Sequence, residues 1–258
     1  MNFKGISFYL SLFCFPISFL AFINILYATY FDYFLSIETY FSVLLVSLIL
    51  GVGLFYFGKD SQKKINYIEQ LILVLLTYLV ISILIAIPFY LSNYQVTLLN
   101  SMFESVSGLT GTGFSIFKNI KYLDPTLILW RSSSQWVGGL YFLFFLIIIF
   151  SNKTFNYKMT DLVYSGDSSF KSKENLKENI KKIIIIYSVL SFIIFTLLNL
   201  SGLRLFNSLN LSMTLISGGG FLPIDNINKI ISTNFQKLIF FLSLIISMLN
   251  LYLLFNLF

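Results

Sequence analysis

The sequence predicts an all-α membrane protein of six transmembrane helices and two re-entrant half-helix hairpins, arranged as two span–hairpin–span repeats. Three observations carry this. Hydrophobic residues make up 57% of the chain and charged ones 11%, whereas a soluble domain carries about a quarter charged residues. So apolar a chain has too little polar surface to meet water all round, and the bilayer is its solvent. Six stretches are long and apolar enough to cross it. Two others are too short or too polar, and each ends in a glycine cluster between two full spans.

The six spans are read at 6–28, 37–57, 71–91, 127–150, 183–200 and 235–257, each close to the roughly 20 apolar residues a crossing needs. Gly58, Lys59 and Asp60 close the second, Pro88 lies near the end of the third, and Ser201 and Gly202 stop the fifth. The first apolar run is long and no small-residue cleavage site follows it, so it reads as a retained span rather than a signal peptide. The two half-length pieces are 96–115, VTLLNSMFESVSGLTGTGFS, and 205–222, LFNSLNLSMTLISGGGFL. Irregular backbone at membrane depth survives only under cover of protein or water, so each piece is expected to be buried or to line an aqueous path. The organisation that follows is two N-terminal helices in 1–62, a first repeat in 63–152, a cytoplasmic loop in 153–182 and a second repeat in 183–258.

Basic residues set the orientation. Lys4, then Lys59, Lys63 and Lys64, then Lys153, Lys158, Lys171, Lys173, Lys177, Lys181 and Lys182 fall on one side. The other side holds fewer: Lys118, Lys121, Arg131, Arg204, Lys229 and Lys237. The positive-inside rule then puts both termini in the cytoplasm and both half-helices on the outer side. In a bacterial cell the chain is expected in the inner membrane. Lys and Glu alternate in SFKSKENLKENIKK, as in a solvated helical extension. The net charge of +6 is thus a topology signal, and nucleic acid is not an expected partner. Tyr27, Tyr30 and Tyr33 form an aromatic anchor at an outer boundary.

Other chemistries are excluded by what the chain lacks. Histidine is absent and Cys14 is the only cysteine, placed inside the first apolar run as a packing residue. That rules out a disulfide within the chain and argues against a Cys/His zinc site. No paired histidine, cysteine nucleophile or carboxylate cluster lies at membrane depth to run acid–base or metal chemistry. The chain is not expected to be an enzyme or to carry a bound cofactor.

The glycine clusters occupy equivalent places in the two repeats. In each, Ser or Thr precedes the glycines and Gly-Phe follows: Gly113-Phe114 and Gly220-Phe221. A dehydrated cation needs oxygen ligands, and rings of backbone carbonyls supply them. Aiming successive carbonyls at one axis requires dihedrals that glycine visits cheaply. Thr110, Gly111, Thr112 and Gly113 fit such a stretch, as do Ser217, Gly218, Gly219 and Gly220. The preceding half-helix would bring its negative dipole end near a cation. Glycines also serve tight helix packing, but two clusters on the same side, each after a half-helix, favour the ion-path reading. Glu104 is an ionisable group in the first half-helix and is read as a carboxylate anchoring the loop behind the glycines. Arg131 and Gln135 begin the fourth span and could bond the hairpin or anchor the outer boundary. Gly138 and Gly139 lie one turn deeper, where they permit close helix contact.

In 103–139 the motif FESVSGLTGTGFS is followed by LWRSSSQWVGGL. This resembles the first pore repeat of TrkH/KtrB-type potassium transporters, which typically show Phe-Glu, Ser-Gly-Leu-Thr, a filter glycine, Trp-Arg-Ser, Gln-Trp and Gly-Gly at this spacing. SMTLISGGGFLP is similar to the family's second filter, with Gly218 where Thr is common. The first two spans resemble the extra N-terminal helices of the TrkH branch. The resemblance implies pore-helix hairpins and a potassium-selective filter of four units around one axis, with Gly113 and Gly220 as two of its four filter glycines. It also implies a cytoplasmic nucleotide-binding ring of the TrkA/KtrA type as regulatory partner. Two hairpins cannot surround an ion. The ring is therefore expected to be completed by a second polypeptide, or by another copy of the chain about a twofold axis; otherwise the chain is a truncated, non-conducting remnant.

Overall fold

The computed structural model describes residues 1–60, 65–150 and 176–248. Those residues form helices and connecting loops. Five helices are long and apolar enough to cross a membrane: α1 (Phe3–Tyr30), α2 (Phe34–Gly58), α3 (Tyr67–Leu91), α5 (Pro125–Phe150) and α6 (Leu176–Leu200). Two are much shorter, α4 (Leu98–Leu109) and α7 (Leu205–Ile216), each of 12 residues. At 1.5 Å per residue they reach about 18 Å, against roughly 30 Å of hydrocarbon. The last described helix, α8, covers Asn234–Met248, and the rest of the sixth expected span, 249–257, lies outside the described residues.

Each helix that answers an expected span begins before it, α6 by the most. Asn2 caps α1, its side chain accepting from the Gly5 N–H at 2.9 Å. Asn66 and Glu69 form a capping box on α3, in which each side chain satisfies an amide that the first turn leaves open. The other oxygen of Glu69 accepts from the Asn2 N–H at 2.5 Å, so one carboxylate closes the N-termini of both α1 and α3. α6 starts at Leu176 with Lys181 and Lys182 exposed in its early turns, as a polar extension of the span.

α1 and α2 pack as an antiparallel pair. A Cβ on Gly58 would meet the backbone of Lys4 and Phe8, and one on Gly51 the side chains of Cys14 and Phe15. Helices come this close where a small residue faces the neighbouring chain. α5 is the spine of the molecule: 67% of its apolar window is buried, against 22% for α2. Its two faces serve two cores. Val137, Tyr141 and Phe145 join α1, α2 and α3 in one cluster, while Leu140, Leu143 and Ile147 join α6 and α7 in another. Polar tips inside the first core find backbone acceptors. Trp130 Nε1 donates to Ile85 O at 3.0 Å and Tyr141 Oη to Phe13 O at 2.5 Å.

Candidate functional site

The two short helices end alike. Leu98 to Leu205, Leu109 to Ile216 and the 3-10 turns at Ile120 and Ile227 are each a step of 107 residues. The C-cap residues Thr110 (φ −85°, ψ −6°) and Ser217 (φ −81°, ψ −6°) are nearly superposable. Their hydroxyls bond back into the helix, Thr110 Oγ1 to Val106 O at 2.7 Å and Ser217 Oγ to Met213 O at 3.0 Å. The next residues, Gly111 (φ +70°) and Gly218 (φ +68°), are left-handed, and their N–H groups reach Gly108 O and Leu215 O, both at 3.0 Å. A left-handed glycine just past a helix end is a standard C-terminal cap. These two glycines therefore have a local structural reason to be glycine, whatever passes beside them.

The segments then part company. Gly219 N–H closes the second cap onto Thr214 O at 2.8 Å. In the first, Gly113 N–H turns back to Ser107 O at 3.4 Å, and Ser107 Oγ donates to Phe114 O at 2.6 Å. Gly113 keeps a positive φ of +79°, while its counterpart Gly220 has an ordinary one. Here the two segments meet. A Cβ on Gly113 would lie 2.6 Å from Gly220 Cα, and one on Gly111 would lie 3.5 Å from Ser217 O. Thr112 Oγ1 sits 2.7 Å from Thr110 Oγ1. All eight residues keep at least part of their surface exposed.

Behind them runs a polar band on α5. Arg131, Ser132, Ser133, Ser134 and Gln135 are all buried. The serine hydroxyls return to carbonyls of their own helix, Ser132 to Ile128, Ser133 to Trp130 and Ser134 to Arg131, which satisfies them without water. Arg131 is 1% exposed and Glu104 0%. Arg131 Nε donates to Glu104 Oε1 at 2.8 Å. Glu104 also accepts from Ser115 Oγ at 3.0 Å and the Ile116 N–H at 2.9 Å, so it fixes the loop leaving the first glycine segment. Arg131 Nη2 donates to Ser115 Oγ at 2.9 Å and Nη1 to Leu222 O at 3.4 Å. Its guanidinium lies 4.2 Å from the Phe221 ring centroid and 5.8 Å from that of Phe117, within cation–π range. One turn on, Gln135 Oε1 accepts from the Phe221 N–H at 3.2 Å. Another turn on, Cβ atoms on Gly138 and Gly139 would run into Leu109 backbone and into Ser217 with Tyr187 Oη, respectively. One face of α5 thus holds both segments.

The structure brings together all eleven residues singled out from the sequence and adds others. Ser115, Phe221 and Leu222 join the Arg131 contacts, and Asp225 accepts from the Ile120 N–H. In the sequence, the Gly-Phe repeat marks Phe221, and Asp225 stands as the carboxylate flanking the second glycine stretch. Among the described residues, no group of three or more His, Cys, Asp or Glu comes together as a metal site.

These two short helices, each running into a glycine turn against a shared central span, lie in an all-helical protein with five helices long and apolar enough to cross a membrane. Residues 36–249 match the family model "TrkH: Cation transport protein". The chain belongs to the TrkH family, a family of transporters rather than enzymes. It is 29% identical over 188 residues to an uncharacterized cation transporter of Methanocaldococcus jannaschii, covering 71% of this chain and 38% of that one. It is 23% identical over 193 residues to the Trk system potassium uptake protein TrkG of Escherichia coli K12, covering 72% and 39%. The crystal structure of the potassium transporter TrkH from Vibrio parahaemolyticus superposes on all of this chain and 52% of that one, with a TM-score of 0.83 at 22% identity. The fold is therefore that of TrkH, and the chain spans about two fifths of the curated relatives' length and about half of the solved structure.

Proposed function

We propose that the chain takes part in uptake of a monovalent cation, potassium first, across the cytoplasmic membrane, with both termini inside. α4 and α7 act as re-entrant pore helices entering from the outer side. Thr110, Gly111, Thr112 and Gly113, with Ser217, Gly218, Gly219 and Gly220, line half of the ion path through their backbone carbonyls. Glu104, Arg131 and Gln135 support them from behind. The observation that carries this reading is the backbone approach of Gly113 to Gly220: the two equivalent glycines, one from each repeat, lie side by side at the ends of two helices whose negative dipole ends favour a cation.

A carbonyl ring needs about four contributors, so two segments form half of one. A second observation supports completion by further units. Phe221 is 1% exposed beneath Arg131, while Phe114, its counterpart 107 residues earlier, is 69% exposed. The first repeat carries an uncovered version of the face that the second repeat buries. Another chain, a second copy or a continuation of the same protein would cover it, and a TrkA/KtrA-like nucleotide-binding ring would regulate the assembly from the cytoplasm. The test is growth of a potassium-uptake-deficient bacterium at low potassium. Expression of the chain together with whatever completes the ring should restore growth; absence of rescue from every such combination would count against transport.

A further inference from the structure

We propose that Asp225 is a positioning residue that sets the separation of the two glycine segments and, through it, cation preference. This rests on the transport reading above. Asp225 lies on the stretch leaving the second segment, and its Oδ1 accepts the Ile120 N–H on the stretch leaving the first, across a sequence separation of 105 residues. The two segments are otherwise tied by backbone contact of Gly113 with Gly220 and by the shared face of α5, where Arg131 bonds Ser115 on one side and Leu222 O on the other. Both of those ties sit at or close behind the glycines. Asp225 adds a third at the outer end, so the two strands are held at both ends rather than hinged at one.

The repeat shows that this tie is particular to one junction. The residue 107 positions before Asp225 is Lys118, which is exposed and has no acceptor on its side chain. The first segment cannot make the same contact with a neighbour on its other side. The acceptor at Asp225 is a carboxylate, which bonds an amide more strongly than a neutral group does. Ile120 opens a 3-10 turn, so its N–H has no partner inside that turn and is available for the bond.

Loss of the tie lets the outer ends of the strands separate, which widens the path at Gly113 and Gly220. Discrimination between a larger and a smaller cation should fall before total flux does. The readout is uptake of rubidium, as a potassium substitute, and its competition by sodium, in cells making wild type, D225A, D225N, I120P or D225A/I120P, each together with the partner that restores growth at low potassium and normalised to protein in the membrane. D225A should lower the preference for rubidium over sodium by about tenfold, at the lower end for a hydrogen bond to a charged group because Asp225 is exposed. I120P removes the donor, at a turn start that proline tolerates, together with a buried side chain of the main apolar cluster, and should lower the preference at least as far as D225A. The double variant should be no worse than I120P alone, as expected for two halves of one contact. D225N should keep most of the preference, since its amide oxygen can accept the same N–H. Wild-type preference in D225A, or a loss in D225N as large as in D225A, would overturn the proposal. A wild type that takes up no rubidium with any unit that completes the ring would overturn the transport reading and this inference with it.

Discussion

The two repeats reach the same backbone shape by different chemistry. In the first, a buried ion pair does the anchoring: Glu104 on the short helix and Arg131 on the span, which between them hold two groups of the following loop, the Ser115 hydroxyl and the Ile116 N–H. In the second, Leu211 stands 107 residues after Glu104. It is buried in an apolar cluster with Leu215 and Ile216, against which Phe240 and Leu244 of α8 pack. The polar contacts of the second segment come from the first repeat instead, through Arg131 and Gln135. The first unit's buried anchors are thus its own, while the second leans on the first for them. A buried pair is weak evidence for net stability but strong evidence for what happens when one partner is lost, and the comparison can be broken at that point.

Arg131→Ala should have the largest effect. It leaves Glu104 buried without a counter-charge, which costs about 3–5 kcal/mol, and it removes the tie to Leu222. Thermal unfolding in detergent should show a large loss of stability, and Arg131→Lys should recover only part of it because an ammonium lacks the fork that bonds several partners at once. Leu211→Ala in the second unit should cost a comparable 2–5 kcal/mol as a cavity but leave the first segment's contacts intact. Equal damage to both segments from Leu211→Ala would contradict this unequal dependence.

Gly138→Ala should come next. The added methyl would overlap Leu109 backbone, which cannot swing aside as a side chain can, and overpacking of this kind costs roughly 1–3 kcal/mol. Gly53→Ala is the control: nothing lies within 4 Å of its added Cβ, and alanine should match or slightly exceed wild type in the same unfolding measurement. Smallest is Gln135→Leu. It removes one bond to the Phe221 N–H, a loss of about 1–3 kcal/mol, partly offset because the buried Gln135 Nε2 has no partner of its own. Hydrogen exchange at Phe221 should rise while that at Ile116, held by Glu104, stays unchanged.

Much of this fold is legible in the sequence. Spans announce themselves by composition, and the half-helices by being apolar yet too short, with glycine at the point where each ends. The family motif falls on residues that do come together, Glu104 and Arg131 among them. The dependence between units is not legible, because it runs through contacts such as Arg131 to Leu222 O and Ile120 to Asp225, across 91 and 105 residues, and no local pattern fixes those. Nor does Gly-Phe reveal that Gly113 is left-handed and Gly220 is not. Identical dipeptides differ there because the first segment is pulled back onto Ser107 while the second completes its helix cap.

That last difference gives the most direct test of the claim that the paired segments form the cation path. Rubidium uptake would be compared for wild type, Gly113→Ala and Gly220→Ala at equal membrane levels, each with the units that complete the ring. Gly113→Ala adds a Cβ at positive φ, 2.6 Å from Gly220 Cα, whereas the Cβ in Gly220→Ala meets only ordinary contacts from 3.5 Å outward. The account predicts that Gly113→Ala abolishes selective uptake while the protein stays folded, and that Gly220→Ala keeps most of it. Wild-type uptake and selectivity in Gly113→Ala would contradict it.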